Sequence, residues 1–196
     1  MDIALFDFDG TITRSNTFGK FIRYAVEGKR KTFGPFLFIP LVIGYKLGLV
    51  PGSALRKGLV WFTFYGRKAD PVQALGAEFA RLVLPGELRD EAMRRIAWHK
   101  ARGDTIVVVS ASLHLYLSHW CALHQLDVIC PELECVKGAY TGRYAAGDCY
   151  GVRKAKLVAE KYDLAAYDTV HAYGDTKEDE AMLRLAQKRF FRWKEI

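Results

Sequence analysis

Asp7-Phe8-Asp9-Gly10-Thr11 places two carboxylates two positions apart at the end of a short apolar run. On a regular strand such residues share a face. Carboxylates that close repel unless a cation or a proton separates them. A hard cation such as Mg²⁺ accepts carboxylates, backbone carbonyls and water. One carboxylate can then act as nucleophile as well as ligand, which puts Asp7 forward as an attacking group on a phosphate ester. Asp9, as the chain leaves the strand, can reach the leaving oxygen as a general acid. Gly10 lets the backbone approach an anion, and the N–H groups of its neighbours, Thr11 included, can line an anion nest. The plain alternative is two acids capping a strand end.

Three further places carry compatible chemistry. Ser110 follows Val107-Val108-Val109, which sets its hydroxyl and the next N–H, that of Ala111, at a strand end. A hydroxyl there can donate to a phosphate oxygen, and it can equally cap the following helix. Arg153-Lys154-Ala155-Lys156 offers cations for a phosphoryl group. Spacing alone does not choose among them, and basic residues on a helix are usually a solvated face. Gly174-Asp175-Thr176-Lys177-Glu178-Asp179 sets acids at i and i+4. Asp175 would complete a metal site begun by Asp7, and Asp179 would bind a metal water or orient Lys154. An acidic first turn favoured by the helix dipole explains the same pattern without function.

The elements that must position these groups follow from periodicity. Ile3–Phe8, Thr105–Val109 and Val170–Tyr173 read as short buried strands. Helical spacing appears after Pro85 as far as Gly103, from Leu113 to His124, over Lys154–Tyr162 and over Lys177–Lys188. Asp127–Val136 reads as extended. Gly138–Gly147 reads as a hairpin around Thr141-Gly142, and Phe190–Trp193 as a last edge strand. Strands alternating with helices predict an α/β fold with a parallel sheet covered on both faces. All three polar clusters follow strands, and in such sheets ligands bind outside the carboxyl ends of the strands.

Residues 14–84 differ in character, being aromatic, basic and apolar with little strand alternation. They read as a helical insertion, 14–84, into a core made of 1–13 and 85–196. Thr32–Leu55 carries a single charge, Lys46, and is long enough to span a bilayer. Gly34, Pro35, Pro40, Gly44, Gly48, Pro51 and Gly52 interrupt it, which predicts short packed or interfacial helices instead. Lys20, Arg23, Lys29, Arg30 and Lys31 form a basic run against Glu27 alone, with Trp61, Phe62, Phe64 and Tyr65 further on. This pattern predicts peripheral contact with an anionic membrane surface, against the alternative that the apolar residues are the insertion's own core.

The 196 residues are 51% hydrophobic and 26% charged, which excludes a disordered or low-complexity chain. The net charge of +7 favours an anionic partner. The basic residues follow no nucleic-acid-binding motif, so no nucleic acid is expected. No phosphate-binding loop, dinucleotide fingerprint or nucleophile elbow is present. Met1-Asp2 leads straight into a strand with no signal peptide, and Cys121, Cys130, Cys135 and Cys149 form no C-x-x-C pair. Reduced thiols in a cytoplasmic protein, associated with the inner face of the membrane, are the expectation. His114, His119 and His124 are spread around a helix, and with His99 and His171 read as ordinary histidines.

Taken together, D-x-D-G-T at 7–11, Ser110, Lys154 and G-D-x-x-x-D at 174–179 resemble the haloacid dehalogenase superfamily, in the family's order and over nearly the whole chain. The resemblance implies a Rossmann-like core with a helical cap inserted after the first strand. It implies Asp7 as nucleophile, Asp9 as acid and base, Gly10, Thr11, Ser110, Ala111 and Lys154 on the phosphate, and Mg²⁺ held by Asp7, Asp9, Asp175 and Asp179. Val109-Ser110-Ala111-Ser112, Cys149-Tyr150-Gly151 and Tyr173-Gly174-Asp175 look like the branch containing phosphoserine phosphatases. In that alignment Lys154 is the motif lysine. That branch is expected to carry a glutamate just after the first motif to hold the substrate ammonium. Ile12–Phe18 holds no acid, which argues against phosphoserine. The basic, aromatic cap looks more like the phosphatidylglycerophosphatase C type. The expected function is Mg²⁺-dependent hydrolysis of a phosphate monoester on a small molecule or lipid, through a phospho-aspartate. The alternatives are phosphotransfer to an alcohol on the same fold and a non-catalytic anion-binding module.

Overall fold

The computed structural model describes the backbone of residues 1–196 and every side chain except those of residues 29, 34–37 and 46. A six-stranded sheet forms the centre, in the order β3 (Asp127–Ile129), β2 (Thr105–Val109), β1 (Ile3–Phe6), β6 (Val170–Gly174), β7 (Lys188–Phe191), β8 (Lys194–Glu195). β1 (Ile3–Phe6) lies in its middle, parallel to β2 (Thr105–Val109) on one side and to β6 (Val170–Gly174) on the other. β3 (Asp127–Ile129) extends the sheet beyond β2, and β7 (Lys188–Phe191) extends it beyond β6, both in parallel.

Alternation along β1 divides the core in two. Ala4 and Phe6 point with Ile106, Val108 and Tyr173 to one face. That face is covered by α5 (Asp90–Ala101), α6 (His114–Leu123) and the inserted helices. Ile3 and Leu5 point with Val107, Val109 and Ala172 to the other, under α7 (Val152–Lys161) and α8 (Glu180–Leu183). Both faces are buried, so the central strands read as continuous apolar runs. Phe6, Tyr173 and Phe190 stack across β1, β6 and β7, with centroids 4.2 and 4.7 Å apart.

Four helices fill the stretch between β1 and α5: α1 (Thr17–Ala25), α2 (Lys29–Lys46), α3 (Gly52–Phe64) and α4 (Ala69–Leu82). α4 packs on α6 so closely that a Cβ at Gly76 would stand 1.9 Å from the Leu115 carbonyl oxygen. α3 packs on a separate two-stranded hairpin, β4 (Leu133–Val136) with β5 (Ala139–Tyr144).

Four expectations need correction. α2 is one 18-residue helix where the glycines and prolines predict short ones. Packing on α3 outweighs propensity here, and Phe38 meets Phe62 edge to face at 5.1 Å. Among the described residues no helix is long and apolar enough to cross a membrane. The hairpin turns at Lys137-Gly138, whose φ values are +51° and +78°, as a two-residue turn requires. Thr141 and Gly142 lie inside β5, where the register shifts. The helix expected over Lys177–Lys188 is a turn at Lys177–Asp179 followed by the four residues of α8. Beyond it Gln187 exchanges hydrogen bonds with the Val170 backbone and starts β7, because pairing with β6 completes the sheet. Finally, Arg192 and Trp193 form a left-handed turn and β8 (Lys194–Glu195), antiparallel to β7, is the edge.

Candidate active site

Asp7 is the first residue past β1, and its N–H still donates to the Tyr173 carbonyl at 2.9 Å. Its carboxylate is buried, and Oδ1 accepts from Lys154 Nζ at 2.5 Å. Lys154 sits in the first turn of α7 and is 3% exposed. The same ammonium donates to Asp179 Oδ1 at 2.6 Å. Asp179 Oδ2 accepts from the N–H groups of Asp175 and Thr176, each at 3.1 Å, and from the Thr176 hydroxyl at 3.2 Å. Asp179 therefore orients Lys154 with one oxygen and closes the loop after β6 with the other. Of the three cations at 153–156, Lys154 is the one that reaches the acids.

Asp175 lies against the D-x-D-G-T loop. The Thr11 hydroxyl donates to its Oδ1 at 3.4 Å. A Cβ at Gly10 would stand 2.3 Å from its Oδ2, and Gly10 has φ +88°. Both facts demand glycine, although the sequence suggests a different reason, approach of an anion. Arg89 fixes the same loop by donating to the carbonyls of Gly10 and Thr13, each at 3.1 Å.

Asp9 turns to the opposite wall. Its Oδ1 accepts from the N–H and hydroxyl of Thr17, at 2.7 and 2.5 Å. Its Oδ2 accepts from the Ser112 hydroxyl at 2.6 Å and from the Phe18 N–H at 3.5 Å. A carboxylate at the N-terminus of α1 suits the helix dipole. The Tyr116 hydroxyl lies 3.0 Å from that of Thr17, which continues the chain into the core. Ser110 accepts from the Ser112 N–H at 3.1 Å. Its own hydroxyl proton has no acceptor among the described residues.

Asp7, Asp9, Ser110, Ala111, Lys154 and Asp179 all line one cavity of about 420 Å³. Asp7, Asp175 and Asp179 offer carboxylate oxygens within 4.8 Å of one another, and the Asp9 carboxylate is outside that trio. Burial raises the Asp7 carboxyl well above its ordinary value, against the pull of Lys154, and Asp179 adds to the rise. Burial and then Asp179 raise Asp175. Burial opposes the charge on Lys154, but Asp7 and Asp179 together lift it above the ordinary lysine value. Three acids against one ammonium leave a deficit of positive charge, and the donors are hard oxygens. That set fits a divalent cation of the Mg²⁺ type.

Several residues that hold or border the site gave little sign in the sequence. Ser112 stands in the Val-Ser-Ala-Ser run, and Thr17 follows the Asn16 cap of α1, whose side chain accepts from Gly19 at 2.8 Å. Helix-start chemistry was the available signal for Thr17. Arg56 of α3 gave none. It donates twice to Asp148 Oδ2, at 3.1 Å each, and lies over the Tyr150 ring at 4.2 Å, which ties the inserted helices to the core.

A parallel α/β sheet with an acid-and-lysine cluster at its carboxyl edge and helices inserted after the first strand defines a hydrolase architecture of the Rossmann-like type. The chain belongs to the haloacid dehalogenase-like hydrolase family, which it matches over residues 4–184. It is 27% identical to protein CicA of Caulobacter vibrioides over 97% of this chain and 85% of that protein. Its fold resembles that of a Bordetella pertussis Tohama I protein of unknown function, with TM-score 0.81 and 19% identity over 97% and 89% of the two chains. It also resembles a phosphoserine phosphatase solved as a phospho-aspartyl intermediate analogue, with TM-score 0.68 and 17% identity over 96% and 85%.

Proposed function

We propose that the protein is a phosphoric monoester hydrolase that forms a phospho-aspartate on Asp7. The observation that carries this reading is the buried Asp7–Lys154–Asp179 chain beside Asp175, with Asp9 across the same cavity. An Asp7 oxygen attacks phosphorus while the bond to the leaving oxygen breaks, and Asp9 gives that oxygen a proton. Asp9, now a base, takes a proton from water, which attacks phosphorus and releases Asp7 and inorganic phosphate. Lys154 holds the attacking carboxylate and balances charge on the phosphoryl oxygens. Ser110 and the Ala111 N–H are the donors for those oxygens, with the Gly10–Thr11 backbone beside them. Thr17 and Ser112 hold Asp9 in its acceptor pose and must yield when it carries a proton. Mg²⁺, held by Asp7 and Asp175 beside Asp179, would supply charge stabilisation at the transferring group.

The test uses an aryl phosphate. Asp7→Asn keeps the shape and removes the attacking charge, so turnover should collapse and no hydroxylamine-labile phosphoryl group should remain on the protein. Chelator should abolish activity, Mg²⁺ should restore it, and Ca²⁺, with its longer bonds and higher coordination, should inhibit. Wild-type turnover by Asp7→Asn would end the covalent reading. Phosphotransfer is separated by adding an alcohol and looking for its phosphate ester.

A second reading concerns where the substrate resides. α2 and the turn after it expose Phe33, Ile39, Ile43, Leu47 and Leu49, each at least half exposed. Such a surface beside cations suits peripheral contact with an anionic membrane and a lipid phosphate such as phosphatidylglycerophosphate. The basic run is smaller than its sequence implies. Lys20 pairs with Glu87 at 2.5 Å, and Arg30 donates to the carbonyls of Thr63 and Tyr65. Arg23 and Lys31 remain exposed, and the Lys29 side chain lies outside the described residues. Flotation with anionic vesicles at low and high salt tests this reading. No association at low salt would remove it and leave the phosphatase standing.

A further inference from the structure

We propose that the groove between α1, α2 and α3 holds the apolar tail of the substrate, so that the enzyme's substrates are amphiphilic phosphate monoesters with an alkyl or acyl chain lying along the inserted helices. The proposal rests on the phosphatase reading of the Asp7 cavity.

Two cavities meet in this protein. The Asp7 cavity is lined by carboxylates, Lys154, Arg56 and Ser110. The second, of about 640 Å³, is lined chiefly by apolar side chains such as Ile22, Phe38, Val42 and Leu59, with Arg23, Arg30 and Lys31 also on its wall and no acid among the described residues. Gly19, Arg23, Val42 and Leu59 border both, so one space runs from the acids into the apolar groove. Polar chemistry at one end and apolar walls at the other match a ligand with a phosphate head and a hydrocarbon tail. The groove's size and lining are those of ligand pockets.

Gly19 supplies a second, independent observation. It lies in the first turn of α1, where its N–H donates to the Asn16 cap. Its backbone is ordinary, and a Cβ there would meet only Asn16 Oδ1, at a normal 3.5 Å. Neither conformation nor packing calls for glycine at that place. Its position at the junction does, because any side chain there would narrow the passage between the two cavities.

The experiment measures phosphate release from monoalkyl phosphates of three to ten carbons, each below its micelle-forming concentration and without vesicles. Membrane binding then cannot imitate the effect. kcat/KM should rise with each methylene, by up to about fourfold, which is about 0.8 kcal/mol per buried CH₂, and level off once the groove is filled. Gly19→Leu should flatten the rise, read as the ratio of octyl to propyl phosphate within the variant. Ile43→Asp, at a half-exposed position on the groove, should lower the same ratio, and it serves should Gly19→Leu not fold. A flat chain-length series with the short members turned over would overturn the groove and leave the phosphatase. A full rise in both variants would remove the tail from this groove. Release from no member, nor from an aryl phosphate, would overturn the phosphatase reading and this proposal with it.

Discussion

At the carboxyl edge of the sheet each of the four aspartates has a named partner. Asp7 has Lys154, Asp179 has Lys154 and the 175–176 backbone, Asp175 has Thr11, and Asp9 has Thr17 and Ser112. α2, some twenty residues further along the chain, is the reverse case. Among its described side chains Phe38 meets Phe62 of α3, while Phe33, Ile39 and Ile43 face outward. The contrast separates two tasks. Groups that move charge must be held within tenths of an ångström by several contacts at once. A surface that recognises an apolar partner needs area and no fixed geometry.

The comparison can be broken most severely at Asp9. Asp9→Asn keeps acceptors for Thr17 and Ser112 on its carbonyl oxygen but cannot shuttle a proton. kcat for an ester with a poor leaving group should fall by roughly a hundred- to ten-thousand-fold. An aryl phosphate, whose leaving oxygen needs less protonation, should lose less in the first step. Equal loss on both substrates would argue against the acid role.

The next effect is on stability and lies at the far end of the sheet. His99 is buried, with Nδ1 2.8 Å from Asp104 and Nε2 2.9 Å from the Tyr173 hydroxyl. Burial lowers its pKa to about 4, although Asp104 pulls the other way and His171 and Arg95 add to the fall. Arg102 and Asp2 complete the charged surroundings. Between about 6.5 and about 4 the unfolded chain binds a proton that the native state refuses. Stability should therefore drop as pH falls through that window, by about 3 kcal/mol in all, and this contribution should level off below it. His99→Gln should remove this component from the urea midpoint measured against pH. An unchanged pH profile would show that His99 titrates normally.

Gly76→Val should come third. The added side chain meets the Leu115 carbonyl, and overpacking of this kind costs about 1–3 kcal/mol. Leu47→Ser, at a residue 68% exposed, should change stability by less than about 0.5 kcal/mol. Comparable melting shifts in the two variants would show that α2 is as tightly determined as α4.

How much of this was legible in the sequence follows the same division. The central strands announce themselves because both faces are buried, so Val107-Val108-Val109 needs no alternation to be read. The acids and Ser110 could be grouped because all of them follow strands of one parallel sheet. The pose of Asp9 was hidden, since Ser112, which donates to it, lies 103 residues away. The brevity of α8 was hidden too, because pairing of Lys188–Phe191 with β6 overrules a helical pattern. α2 misled for the opposite reason: local breakers predicted interruption, and contact with α3 carried the helix through.

The attachment of the inserted helices has one more consequence. α1 is tied to Asp9, α4 to α6 and α3 to β5 and Asp148, whereas among the described residues α2 packs chiefly on α3. Residues 29–50 thus form a cassette whose ends both return to the same neighbour. The bonds that hold Asp7, Asp9, Asp175 and Asp179 come from other elements, so that stretch can be rewritten while these acids keep their place. The architecture separates the part of the molecule that must be inherited from the part that is free to diverge.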